Sequence, residues 1–276
     1  MGTVSVRSSG GKRLLKRWAR RALAHGSAMV GSARRGNLTP GLRILTYHRI
    51  AADPADPFAV APGDFAIQME AVASSGAAEP LDGALDGVRR GEEGRPRLAL
   101  TFDDGTVDFL ADALPVLSRL GLPATLYVSP ARVGEAGFLG WEELRTVSAA
   151  GVRIGSHGLD HQSLGRIARG EVWRQVSESR RQIEDRLGIE VSSLAYPFGT
   201  VRDFNEEVKE EVRRAGYRGA CTSINGINHG STDPMELRRT KIERGDAPVF
   251  GRILAGGLDA WAVVDRHLSA IQNRYE

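Results

Sequence analysis

The chain has 276 residues, 41% hydrophobic and 26% charged, enough for one large α/β domain or two small ones. Its single cysteine, Cys221, excludes an intrachain disulfide framework and a cysteine-rich zinc site. The formal charge of +3 is uneven: residues 1–36 hold nine Lys/Arg and no acid, so the remainder carries −6, which does not suit a nucleic-acid-binding body.

Residues 1–11 are rich in Gly and Ser and are expected to be disordered. Residues 12–25 suit a short basic helix, with Leu14, Leu15, Trp18, Ala22 and Leu23 near one face. Such a helix can rest on an anionic membrane surface, or dock on the protein's own body. Thr39-Pro40-Gly41 is a boundary signal. It divides a basic extension, 1–38, from a globular domain, 39–276. No run approaches the length of a transmembrane helix, and the N-terminus lacks the apolar core of a secretory signal. The expectation is a cytoplasmic protein, with residues 12–25 available to the inner membrane face.

From Leu42 onward, short apolar runs alternate with amphipathic stretches. Strands are predicted at 42–47, 97–102, 124–128, 152–155, 193–196, 219–222 and 237–242. Helices are predicted at 64–74 (capped by Asp64), 81–90, 108–120, 141–150, 171–187, 204–215 and 260–271, several ended by Gly. Pro115 is a blemish in the third. About seven β–α units predict a parallel sheet that closes into a (β/α) barrel, with its chemistry at the C-terminal strand ends.

Those strand ends supply a list of polar residues: His48, Asp103-Asp104, His157 with His161, Tyr196-Pro197-Phe198-Gly199, and Arg238-Arg239. Paired carboxylates repel unless one is held by a cation. Two histidines four apart, on a loop after a strand, can close on one metal ion. Together they give three ligands, Asp104, His157 and His161, with positions left open for water and substrate, as in a catalytic hydrolytic site.

Thr101-Phe102-Asp103-Asp104-Gly105 and Ser156-His157-Gly158-Leu159-Asp160-His161 resemble the first two motifs of the polysaccharide deacetylases, the NodB-homology or carbohydrate esterase 4 family. The resemblance covers roughly residues 42–243. It implies a distorted (β/α)7 barrel and a divalent-metal-dependent hydrolase, most simply a zinc enzyme. The substrate class it implies is an acetylated amino-sugar glycan or glycan precursor, N-acetyl or O-acetyl. Asp103 then looks like the general base, and Asp104, His157 and His161 like the metal ligands. The third family motif, Arg-x-Pro-Tyr-Gly, reads Ala195-Tyr196-Pro197-Phe198-Gly199, so the Arg that orients the base is absent. The departure resembles a branch with Tyr-His at the end of the first strand, here Tyr47-His48. In that branch the His is the general acid, which assigns the role to His48, with His229 as the weaker candidate. Arg239 is either a substitute partner for Asp103 or a salt bridge at the barrel edge. Tyr196, Phe198 and Trp141 are candidates to stack on sugar faces, Trp141 being as well suited to the core. The alternatives are an amidase of the same fold acting on a small non-sugar amide, and a non-catalytic glycan-binding member.

Overall fold

The computed structural model describes residues 18–20, 22–24, 38–92 and 94–267. Among them run seven parallel strands: β1 (Gly41–Tyr47), β2 (Pro96–Phe102), β3 (Ala124–Val128), β4 (Arg153–Ser156), β5 (Ser193–Ala195), β6 (Gly219–Cys221) and β7 (Arg239–Lys241). Their order is β6-β5-β4-β3-β2-β1-β7. A parallel bridge between Cys221 and Leu237 links β6 to the segment before β7 and brings the ring close to closure. This is the (β/α) barrel expected from the alternation of elements, in the distorted seven-stranded form that the family resemblance implies.

Helices pack outside: α1 (Pro62–Ser74), α2 (Leu81–Arg89), α3 (Leu114–Leu120), α4 (Trp141–Ala149), α5 (Arg169–Leu187), α6 (Glu206–Arg214), α7 (Phe250–Leu254) and α8 (Trp261–His267). Three differ from the sequence pattern for local reasons. α1 begins at Pro62, whose fixed φ and missing N–H suit a first turn, so Asp64 lies inside that turn and is not the cap. Pro115 cannot donate to the helix ladder; before it the chain widens into a π turn, Phe109–Ala113, and the Leu114 N–H bonds to Phe109 O. α6 starts later than expected because Asn205 caps it, accepting from the Val208 N–H at 2.9 Å. α7 has no counterpart in the predicted elements.

Alternation along the strands sorts the core into two parts. Leu45, Tyr47, Leu98, Leu100 and Phe102 face the helices. Leu42, Ile44, Ala99, Tyr127, Ala195, Cys221 and Leu237 face one another inside the barrel, where Leu81, Ala84 and Leu85 of α2 join them. Gly155 on β4 keeps the interior narrow, since a Cβ there would lie 2.5 Å from the Tyr127 ring. By the same period of two, Asp103 follows Ala99 and Thr101 to the inside of the barrel mouth.

The basic helix expected at 12–25 is described only at 18–20 and 22–24, where it is helical. There it docks on the body. Arg20 is 2% exposed and donates to Lys241 O at 2.9 Å and to Asp246 at 2.7 Å. Trp18 points outward. The rest of that segment lies outside the described residues. No helix among those described is long and apolar enough to cross a membrane.

Candidate active site

Three residues other than glycine have positive φ among the described residues: Asp104 (73°), His161 (64°) and Phe198 (61°). Each costs about 1–3 kcal/mol of backbone strain, and such strain collects where side-chain aim matters. All three stand in loops that follow strands β2, β4 and β5. Gly105, also at positive φ, could not carry a Cβ, which would fall 2.8 Å from Val128. The chain therefore turns sharply after Asp103 and sends Asp104 a different way.

Asp104, His157 and His161 offer one carboxylate oxygen and two imidazole nitrogens that all lie within 4.8 Å of one another. The Asp104 oxygen is 3.3 Å from His161 Nε2 and 3.7 Å from His157 Nε2. His157 Nδ1–H donates to Ala195 O at 2.7 Å, which fixes the tautomer and leaves Nε2 to face the centre. Burial lowers the His157 pKa to about 4, against the pull of Asp103, so the imidazole is neutral at neutral pH. The Asp104 carboxyl is held below its ordinary range: burial pushes it up, but the surrounding histidines outweigh burial. Two imidazole nitrogens with an ionised carboxylate are a donor set that fits zinc or a similar divalent cation, three ligands with the remaining positions open.

Asp103 is 2% exposed and accepts two hydrogen bonds of 2.7 Å from Arg239, one to each oxygen. Burial alone would raise its pKa. The Arg239 charge and bonds, helped by His157 and His48, hold it at about 2. Arg239 is itself fully buried; its Nε donates to Thr222 O at 2.8 Å and one terminal nitrogen to Thr101 Oγ1 at 3.3 Å. A guanidinium from β7 thus stands opposite the carboxylate that the Arg-x-Pro-Tyr-Gly pattern would serve from position 195.

His48, at the end of β1, places Nε2 3.9 Å from Asp103 Oδ2. Its ring stacks on Phe58 at 5.2 Å, and the Lys241 ammonium lies 4.9 Å from the same Phe58 ring. Burial lowers the His48 pKa; Asp103 raises it, and Lys241 lowers it further. Phe58 and Lys241 belong to no motif and were not among the candidates.

The other candidates separate. Phe198 is partly exposed, with its ring edge-on to His161 at 4.9 Å, so it lies at the site. Tyr196 does not offer its ring to a ligand: it is wholly buried, stacked on Phe204 at 5.0 Å, with its hydroxyl donating to Met235 O. Ala195 faces inward, so the next residue faces the helix layer. The backbone N–H of Tyr196 is also engaged, with Cys221 O at 3.0 Å. Trp141 packs against the core in the outer layer, with the Arg186 guanidinium 5.8 Å from its ring. His229 is exposed beside Gly41, at the opposite end of β1 from His48. Seven strand residues, about 20 Å, separate the two ends, so His229 is not placed to act with Asp103.

Residues 90–220 match the polysaccharide deacetylase family model. The peptidoglycan-N-acetylglucosamine deacetylase PgdA of Listeria monocytogenes is 32% identical over 117 residues, 42% of this chain and 24% of the relative. A chitooligosaccharide deacetylase of Sinorhizobium fredii is 29% identical over 160 residues, 56% of this chain and 66% of the relative. The chain thus spans only a quarter of the Listeria protein. Among solved structures, the Streptococcus pyogenes deacetylase PplD in complex with acetate superposes with a TM-score of 0.72 at 22% identity, covering 79% of this chain and 99% of that one.

Proposed function

The chain belongs to the polysaccharide deacetylase family, and on that premise we propose that it hydrolyses the acetyl group of an acetylated amino-sugar glycan, using a divalent cation, most simply zinc. The observation that carries this reading is one juxtaposition. A buried carboxylate kept ionised by Arg239 stands beside a three-ligand set with open positions. The names of the Listeria and Sinorhizobium relatives point to N-acetylglucosamine-type substrates.

Asp104, His157 and His161 would hold the cation, which supplies Lewis-acid polarisation of the acyl carbonyl and a water acidic enough to lose a proton near neutral pH. The chain's own residues do the rest. Asp103, ionised and clamped by Arg239, takes the proton of the attacking water as general base. As charge moves to the carbonyl oxygen, the Phe198 N–H is the nearby backbone donor to receive it. It has no acceptor among the described residues and follows the turn at Pro197. The amide nitrogen leaves only if protonated, and His48 in its imidazolium form supplies that proton. Water and amide then become acetate and amine: Asp103 takes one proton from the water on one side of the scissile bond, and His48 gives one to the nitrogen on the other. The partly exposed Phe198 ring is the remaining candidate to rest against a sugar face.

The test uses the full chain, stripped of metal and reloaded with zinc, on acetylated chitooligosaccharides and on simple non-sugar acetamides. Acetate release from the sugars is expected only with metal. Asp103→Asn should lose roughly 10²–10⁴-fold in rate while binding zinc as before. Undiminished turnover by Asp103→Asn would refute the base assignment, and preference for the acetamides would move the substrate class.

A further inference from the structure

α5 is built against its own packing rule. Its buried face carries Val172, Val176 and Ile183, but also Gln175 and Ser179, both fully buried. Glu171, Gln175 and Ser179 are spaced by four and so lie in one row along the helix. An unsatisfied buried amide costs about 1–3 kcal/mol, so a polar row inside an apolar seam has to find partners. The partners found on the strand side are Ser156, the last residue of β4, and the loop after it that carries the two histidines.

Gln175 Oε1 accepts the backbone N–H groups of Leu159 at 2.9 Å and Asp160 at 3.3 Å. Its Nε2 donates to Asp160 Oδ1 at 2.7 Å and to Glu171 Oε1 at 3.2 Å. Both lone pairs and both N–H groups are used, which locks the side chain in one orientation. One step along the row, Ser179 Oγ meets Ser156 Oγ at 2.7 Å, and Ser156 Oγ accepts from the Gly158 N–H at 3.2 Å. Between His157 and His161 there are three residues, and the N–H of each is tied to this row directly or through Ser156. The loop is not a helix, so nothing in its own backbone ladder sets the separation of the two imidazoles. His161 sits at φ 64°, a conformation the chain holds only if its surroundings impose it.

We infer that Gln175 is a positioning residue for metal binding: its amide fixes the Leu159–Asp160 turn and thereby the distance and aim of His161 relative to His157. The inference rests on the reading of Asp104, His157 and His161 as metal ligands. The proposed role differs from simple packing in what it controls. A packing residue contributes to global stability, whereas Gln175 sets zinc affinity and the local order of residues 158–161.

Two measurements on the full chain test this. The first is zinc affinity by competition with a chromophoric chelator. Gln175→Met, of similar length and without hydrogen-bonding groups, should weaken zinc about 10–100-fold. Val176→Ala, one residue along the same buried face, should lose stability but keep zinc affinity within about twofold, by the same standard. The second is hydrogen exchange in the metal-free protein, where peptides covering 158–161 should exchange faster in Gln175→Met and unchanged in Val176→Ala. Where Gln175→Met does not fold, Gln175→Ser, which ends short of the loop, takes its place with the same expectations. Wild-type affinity in the Gln175 variant, or equal weakening by Val176→Ala, overturns the inference. A wild-type chain that takes up no zinc overturns the metal reading instead. The exchange comparison then still decides whether Gln175 orders the loop.

Discussion

Arg239 and Asp103 meet face to face, each terminal guanidinium nitrogen 2.7 Å from one carboxylate oxygen, though they stand 136 positions apart in the chain. Both groups are almost completely buried. The pair reaches from β7 past β1 to the end of β2, so the side chain that holds Asp103 in place comes from two strands away.

Removing the cation should therefore move the acid side of the pH profile. Without Arg239, burial is left as the main influence on Asp103 and drives its pKa up from about 2. The base form is then lost at a higher pH. In Arg239→Met the acidic limb of kcat/KM should shift upward, with a fall of roughly 10²-fold at neutral pH from the misplaced carboxylate. Arg239→Lys keeps the charge but not the paired bonds and should shift the limb less. An unmoved limb in Arg239→Met would mean that another group sets the state of Asp103.

The same pair has a signature in stability. The folded pKa of Asp103 lies below its ordinary value of 3.8. Its contribution is complete above pH 4 and should be lost as pH falls from about 4 to about 2. Urea midpoints of wild type and Arg239→Met should therefore converge at the acid end and separate above it. Parallel curves across that range would contradict the linkage.

In the proposed mechanism the alkaline side belongs to His48. As general acid it must be protonated, and burial, assisted by Lys241, lowers its pKa. The alkaline limb of kcat/KM is then expected below the ordinary imidazole value of 6.5. Lys241→Met removes a cation and should move that limb upward. His48→Ala should abolish it and cost roughly 10²-fold or more in rate. Survival of the limb in His48→Ala would transfer the acid role to a different group.

The residues that were legible in the sequence share a property: they sit in short contiguous stretches at strand ends. Asp103-Asp104 and His157…His161 could be read as a donor set because strand and turn signals placed them on the same rim of the barrel. Arg239 could only be offered as a partner, since no local pattern reveals a contact across 136 positions. Tyr196 was misplaced through parity. Its neighbour Ala195 points into the barrel, and a strand turns successive residues to opposite faces, so the Tyr196 ring enters the helix layer. His229 was misplaced by a loop that folds back to pair Asn228 with Leu42 at the far end of β1. Gln175 looked like any polar residue on a highly charged helix, because burial of one row depends on what the helix packs against.

Loss of a ligand should be distinguishable from loss of the base. His161→Ala removes one of three donors, and zinc content is expected to fall together with activity. Asp103→Asn should lose activity alone. Metal analysis after dialysis at a fixed zinc concentration checks this. Unchanged zinc in His161→Ala would exclude His161 from the ligand set.

Arg20 makes the last case, because a segment that reads as a flexible basic extension holds one of the most buried cations among the described residues. Its guanidinium bonds Asp246 at 2.7 Å, lies 3.7 Å from Glu243, and donates to Lys241 O. Asp246 and Glu243 are themselves buried, and Lys241 is the last residue of β7, two beyond Arg239. Arg20→Met leaves the Glu243 N–H as an Asp246 partner but takes away the cation. Breaking a buried pair from one side costs on the order of 3–5 kcal/mol, and the urea midpoint of Arg20→Met should fall accordingly. A surface cation would cost roughly 1 kcal/mol at most. A midpoint within that smaller range would show that residues 18–24 trail from the body. The larger loss would make them part of the folded domain and place its boundary before Trp18, not at Thr39.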